Sequence, residues 1–259
     1  MSAIDTIELL ARSEHRVRIL DLLCENGTLE KHVLGDRIDA SRTTIGRNLD
    51  ALEEQGWVSR TNGTCTITRQ GELVAEAFAD LVSEVELTDK LRSFMRWVPD
   101  DTLDLDLSLL AESKITLAQP GDPYAMINKQ VQLIKETEWY RVVLPFTGLH
   151  ATEAANEQIV GNGAEGELVV EPDIAELYCS AQEYADLWGE MEATGRLELF
   201  AYDGTLPYSL GVFDDTVQIV VAEDDEPRAL LETTNETVRE WALEQYRRYK
   251  RHADGFSVS

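Results

Sequence analysis

Between Ser41 and Thr68 the chain encodes a capped helix and, at once after it, a tight hairpin, and few folds use that pair in so short a length. Ser41 is an N-cap residue whose hydroxyl suits the free amides of a first helical turn, and Gly56 is the residue type that stops a helix. Within that span Ile45, Leu49 and Leu52 recur at helical spacing and mark a buried face. After Gly56, Trp57-Val58-Ser59-Arg60 and the alternating Cys65-Thr66-Ile67-Thr68 flank Asn62-Gly63, a strong signal for a two-residue hairpin loop.

Two helices are expected upstream. Thr28 reads as the cap of a short one with Leu29, Val33 and Leu34 inward, and Ile38-Asp39-Ala40 as the tight turn into Ser41. Ser13 reads as the cap of another that runs to Asn26-Gly27 with Val17, Leu20 and Leu23 inward. Joined this way, the segments form a helix-turn-helix with a β-wing over residues 1–70. The face opposite the core, near the start of the Ser41 helix, carries Ser41, Arg42, Thr43, Thr44, Arg47 and Asn48. Guanidinium, hydroxyl and amide groups in that position suit base edges in a major groove. Arg60 and Asn62, beside the hairpin tip, are expected to hold the phosphate backbone or the minor groove. Double-stranded DNA is the partner this implies. The alternative is a non-enzymatic adaptor that docks a protein on the same module.

A formal charge of −26 looks wrong for a DNA binder, since phosphate contacts need local positive charge. Its distribution resolves much of the conflict: residues 1–70 hold 9 of the 23 Lys and Arg but only 11 of the 49 Asp and Glu. The remainder is strongly acidic, and 6 lysines against 17 arginines fit a protein adapted to a salt-saturated cytoplasm, where screening suppresses self-repulsion. A halophilic archaeal source is the expectation. Disorder is excluded by the 43% of hydrophobic residues and their periodicity. No apolar segment of membrane-spanning length and no signal-peptide block is visible, so the chain reads as soluble and cytoplasmic. Cys24, Cys65 and Cys179 lie far apart and read as buried thiols, so no metal site or cofactor is expected.

The segments "HRVRILDLL" and "SRTTIGRNLDALEEQGWV", with the wing that follows, resemble the winged helix-turn-helix of ArsR-like archaeal regulators. From Arg69 to Trp97 the pattern is helical, with Leu73, Ala77, Leu81 and Val85, then Leu91, Met95 and Val98, spaced for one apolar stripe with a break near Leu87-Thr88. Residues 71–98 are expected to link two domains or to form a homodimer seam.

Past Pro99-Asp100-Asp101, residues 99–259 alternate strand-like and helix-like segments. They predict an α/β layer with a largely parallel sheet, closed by an antiparallel hairpin at Asp214-Asp215 and a final helix with a basic end, 247–251. The whole chain is thus expected to be a two-domain α+β and α/β protein. The runs "RVVLPFTGLHATEAANEQIVGNGAEGELVVEP" and "YDGTLPYSLGVFDDTVQIVV" resemble the middle domain of methanogenesis regulators, and through it the phospholipase D-like sensor modules of sugar-responsive archaeal regulators. That resemblance implies effector sensing or dimerisation without catalysis.

A small-molecule effector would sit at the carboxyl ends of the strands, where the Pro123-Tyr124 loop, Thr147-Gly148-Leu149-His150 and Tyr202-Asp203-Gly204-Thr205 converge. Tyr124, Thr147, His150 and Tyr202 are the candidate ligand contacts, and the acidic Glu171-Pro172-Asp173 loop suits sugar hydroxyls better than an anion. A phospholipase-type site needs a histidine with a lysine two residues on, which His150-Ala151-Thr152 lacks. No other nucleophile motif stands in its place, so the chain reads as a non-enzyme.

Overall fold

The computed structural model describes residues 2–118, 121–122, 124–224 and 226–257, in two units that meet between Glu86 and Leu87. Pro123, one of the two residues of the expected Pro123-Tyr124 ligand loop, lies outside the described residues.

The first unit runs α1 (Ala3–Ala11), α2 (Glu14–Asn26), β1 (Thr28–Glu30), α3 (Lys31–Ile38), α4 (Arg42–Glu54), β2 (Val58–Thr61) and β3 (Thr64–Ile67), with the strands in the order β1-β3-β2. Ile19, Leu20 and Leu23 of α2, Leu34 of α3 and Ile45, Leu49 and Leu52 of α4 form one core with Trp57 and Cys65. Thr28 does not cap a helix. It opens β1 opposite Thr66, the two hydroxyls 3.1 Å apart, and α3 starts three residues later behind Glu30. Asp39 ends α3 in the left-handed region, φ 54°, which short polar side chains tolerate. Cys65 is buried as expected, whereas Cys24 and Cys179 are exposed.

Thr68 starts α5 (Arg69–Met95) by accepting from the amide of Gly71 at 3.0 Å and donating to the carbonyl of Gly56 at 2.7 Å. A Cβ on Gly71 would lie 2.1 Å from the Trp57 carbonyl oxygen, so the helix can leave the wing this closely only with glycine there. In the first unit α5 buries Ala75 and half-buries Val74 and Phe78. Leu87, Leu91 and Phe94 bury in the second unit's core. The row Leu73, Leu81 and Val85 instead faces outward, 69%, 48% and 52% exposed.

In the second unit a 3-10 turn at Leu107–Leu110 precedes β4 (Lys114–Leu117), α6 (Ala125–Glu136), β5 (Trp139–Leu144), α7 (Leu149–Asn156), β6 (Glu165–Val170), α8 (Pro172–Ser180), α9 (Gln182–Ala193) and β7 (Leu197–Tyr202). Then follow β8 (Ser209–Phe213), β9 (Thr216–Glu223), β10 (Glu226–Thr233), α10 (Glu236–Lys250) and β11 (Ala253–Phe256). The segment 102–106, which alternates apolar and acidic residues as a strand does, is irregular, and its Leu103 and Leu105 pack half-buried against the core.

The eight strands lie in the order β11-β7-β6-β5-β8-β9-β10-β4, and only β5/β6 and β6/β7 pair in parallel. The sheet is therefore mixed and mostly antiparallel, not largely parallel. Helical crossovers join β5 to β6 and β6 to β7, whereas the short turn at Asp214-Asp215 forces β8 and β9 antiparallel. Asp214 sits at φ 48°, and its carboxylate accepts from the amides of Glu138 and Trp139, both at 3.1 Å, fastening that turn to the start of β5.

Both faces of the sheet are buried. Val143, Val169 and Val212 face Val238, Ala242 and Tyr246 of α10, while Tyr140, Val142 and Leu168 face the side covered by α6 to α9. Glu167 stands between the strands and α10. Its carboxylate accepts from Arg141 at 2.9 and 3.0 Å, from the Tyr246 hydroxyl at 2.8 Å and from Lys250. The basic end of α10 is largely engaged within the unit, Lys250 with Glu167 and Glu198 and both Arg247 and Arg251 with Glu244.

Burial pushes the Glu167 carboxyl up, but the hydrogen bonds from Lys250, Tyr246 and Arg141 outweigh it and hold the group lowered from 4.5 to about 2. A depressed folded-state pKa means stability that is complete above pH 4.5 and lost as pH falls toward 2. Glu167→Gln should lower the unfolding free energy at pH 7 by about 1–2 kcal/mol, solvent contact trimming the value of a fully buried network. Denaturant titrations of the two proteins should converge as the pH drops through that window.

Candidate functional site

The reading face is built on α4. The Ser41 hydroxyl accepts from the Thr44 amide at 3.1 Å and lies 2.9 Å from the Thr44 hydroxyl, so these two side chains first serve the helix start. With Ile45, Leu49 and Leu52 fully buried, the helix has one rotation available, and that rotation leaves Arg42, Thr43 and Arg47 exposed. Asn48 departs from expectation. It is 2% exposed and accepts from the Ser13 hydroxyl at 3.3 Å, so it ties α4 to the start of α2 and is unavailable to a base.

Lys31 is a residue that periodicity does not single out. Its Nζ lies 3.0 Å from where a Cβ on Gly46 would stand, which places an ammonium across the middle of α4. The signal in the sequence was the glycine itself, an otherwise poor choice in a helix interior.

The wing forms as the Asn62-Gly63 signal predicts, with Thr61 paired to Thr64 and positive φ at both loop residues, 52° and 85°. Asn62 is exposed at its tip. Arg60 is not free to meet a phosphate. It bonds Glu53 through Nε at 2.9 Å and Asp50 through Nη2 at 2.7 Å, and its amide donates to Glu53 at 3.1 Å. Hydrogen bonding from Arg60 lowers the Glu53 carboxyl below its ordinary value, and the same bond raises Arg60. The Lys31 amide also donates to the Gly63 carbonyl at 3.0 Å. The hairpin is thus fastened to both α3 and α4.

In the second unit, a cavity of about 200 Å³ opens between the sheet and α6 to α9 at the end of β5. Of the four ligand candidates, Thr147 and His150 line it and Tyr124 and Tyr202 do not. Tyr124 is 63% exposed, and Tyr202 packs edge-on against Tyr249 with ring centroids 5.3 Å apart. Glu171 accepts from the Leu206 amide at 2.7 Å, and Pro172 and Asp173 begin α8, so that loop offers no free sugar-binding carboxylate at Glu171. Pro172 at the first helical position was the overlooked helix signal. Tyr140, Tyr178 and Trp188, on the cavity wall, were not singled out by sequence because they read as ordinary core.

No group of histidine, cysteine or carboxylate side chains among the described residues is arranged to hold a metal, and no described helix is long and apolar enough to cross a membrane. Residues 123–252 match the family described as the methanogenesis regulatory protein FilR1, middle domain, and residues 4–90 match the HVO_A0261 N-terminal domain. No curated relative matches the chain. Among solved structures, an archaeal chromatin protein, TrmBL2, described as showing a novel mode of DNA binding, is similar at 15% identity and TM-score 0.43, over 98% of this chain and 100% of that one. A phospholipase D family member, Nuc from Salmonella typhimurium, is similar at 12% identity and TM-score 0.44, over 56% of this chain and 99% of that one. NadR in complex with 4-hydroxyphenylacetate is similar at 28% identity and TM-score 0.29, over 38% of this chain and 82% of that one.

Asn48→Ala removes the acceptor of a part-buried hydroxyl and should lower the stability of the protein by about 1–2 kcal/mol in chemical denaturation. The same change should leave any affinity of the α4 face within about twofold, whereas a base-reading asparagine would lose roughly tenfold or more.

Proposed function

The chain belongs to the family of the methanogenesis regulatory protein FilR1 middle domain, and from that premise we propose that it is a transcriptional regulator that binds duplex DNA through α4. The observation that carries the reading is the combination of Arg42, Thr43 and Arg47 on the one exposed side of a helix whose other side is fully packed, with Lys31 lying across it at Gly46. Arg42 and Arg47 are the base readers in this account, Thr43 and the exposed Asn62 give short polar contacts, and Lys31 neutralises a phosphate. Ser41 and Thr44 set the geometry of the helix start from which those contacts are made. Arg60 acts at one remove, by cancelling Asp50 and Glu53, which would otherwise repel the backbone.

We further propose that the regulator is a homodimer joined along α5. A helix of 27 residues is about 40 Å long, and it presents Leu73, Leu81 and Val82 to solvent at 69%, 48% and 37% exposure. The partner is a second copy, since a self-complementary seam would place two reading helices on one duplex in fixed relation. The second unit then acts as a sensor for a small molecule, with the cavity beside Thr147 and His150 as its site.

A labelled duplex from the upstream region of the gene, titrated at molar potassium chloride, should be retarded by the protein. Arg47→Ala should weaken that binding by about 1–3 kcal/mol and relax sequence preference, while Lys31→Ala should weaken all sequences alike and flatten the salt dependence by about one unit. Absence of retardation on every genomic fragment would leave protein docking as the role of the winged helix. Leu81→Glu should convert the dimer to a monomer in sedimentation velocity, and a wild-type protein that sediments as a monomer would overturn the seam.

A further inference from the structure

The cavity beside β5 is unusual in what it lacks. Among the described residues its wall holds no lysine, arginine, aspartate or glutamate, and its titratable side chains there are tyrosines and His150, which is exposed at the α7 end with its Nδ1 3.1 Å from Glu153. Burial raises the Tyr140 and Tyr178 phenols, so both stay neutral. The deep wall is aromatic: Tyr178 stacks on Trp188 with centroids 4.3 Å apart, and Tyr140 and Phe213 pack at 6.0 Å. The Tyr140 ring is held in place because it lies across Gly166 on β6, where any Cβ would come within 2.6 Å of it.

Ligand size and polarity follow from these surroundings. An apolar cavity of about 150 Å³ accepts a benzene ring, so about 200 Å³ accommodates a ring with a small substituent. A sugar carries more hydroxyls than the few polar side chains on this wall can pair, at a cost of roughly 1–3 kcal/mol for each one left over, and a carboxylate or phosphate would find no lysine or arginine among the described lining residues. Polar side chains on the wall are few: Gln130 on α6, His150 at the rim, Thr152, whose hydroxyl donates to the Gly148 carbonyl, and Thr147 next to the aromatic wall. The Tyr178 hydroxyl donates to Thr147 Oγ1 at 2.9 Å, which leaves the Thr147 proton for an acceptor on the ligand.

We propose that this cavity binds an uncharged, monocyclic aromatic compound, and that such a compound, not a sugar or an anion, is the effector of the sensor unit. The proposal deepens the regulator reading and rests on it for the word effector, but the binding site stands on the geometry alone. α7 forms one wall through Ala151 and Ala155, four residues apart on one helical face, so either position offers a way to fill the space from its rim.

The test uses the full chain in molar potassium chloride, titrated with acetophenone, benzoate and glucose and followed by thermal unfolding and tryptophan fluorescence. Acetophenone should raise the melting temperature and perturb the fluorescence, and benzoate and glucose should bind at least tenfold more weakly. Ala155→Phe and Ala151→Phe, each first shown by circular dichroism to be folded, should weaken acetophenone at least tenfold. The proposal fails if acetophenone leaves both signals unmoved, if benzoate or glucose binds as well, or if the folded variants bind it unchanged. Retardation of duplex DNA, measured on the same preparation, separates the two readings. Protein that retards DNA but ignores acetophenone overturns the cavity assignment alone, and protein that binds acetophenone but retards no DNA overturns the regulator reading alone.

Discussion

A sheet with two apolar faces has to be covered twice, and the architecture of the larger unit follows from that constraint. Val142 and Val143 are neighbours in the chain yet point to opposite sides, as successive residues of a strand must, and each needs its own layer. One layer is α10 with the last turns of α5; the other is α6 to α9. Charge admitted into this arrangement is answered at Glu167, where two cations and a hydroxyl surround one carboxylate. Where the covering helices do not close fully over the sheet, beside the end of β5, the gap is the cavity.

The smaller unit obeys the same logic at lower cost in chain length. Three apolar residues of α4 fix its rotation, and everything exposed on that helix is a consequence of what is hidden. Asn48 falls on the hidden side with Leu49, and the Ser13 hydroxyl supplies the hydrogen bond that its burial demands. Arg42 and Arg47 fall on the other. The charge of the module is likewise arranged in space: cations sit over the first turns of α4 and at Gly46, and Asp50 and Glu53 of the later turns are paired with Arg60.

Local signals made the first unit readable. Ser41, the 3.6-residue period and Asn62-Gly63 each act within a few residues, and the helix and hairpin they announce are present. What escaped was set by distant partners. β1 is three residues long and exists because β3 lies beside it, and β10 opens with Glu226 and Pro227, which announce no strand until β9 and β4 pair with it. The parallel core of the sheet was visible as apolar runs, but the antiparallel flanks depend on pairing order, which periodicity does not encode. For the candidate site, residue type pointed to an exposed face of α4, while the pairing of Arg60 with Asp50 and Glu53 was invisible, because a position beside the wing tip says nothing of the two carboxylates across from it. Loop position alone placed Thr147 and His150 beside the cavity but also selected Tyr124 and Tyr202, which do not line it, because that criterion carries no information on packing.

Asp214 gives the acidity of this chain a second meaning. It occupies a left-handed turn that glycine would adopt with less strain, yet glycine would leave the amides of Glu138 and Trp139 without their acceptor. Glu167 and Asp106, which accepts from the Ser108 amide, are bound into the framework in the same manner. Part of the negative charge is therefore structural cement, and any redesign that neutralises surface carboxylates would have to leave these three untouched.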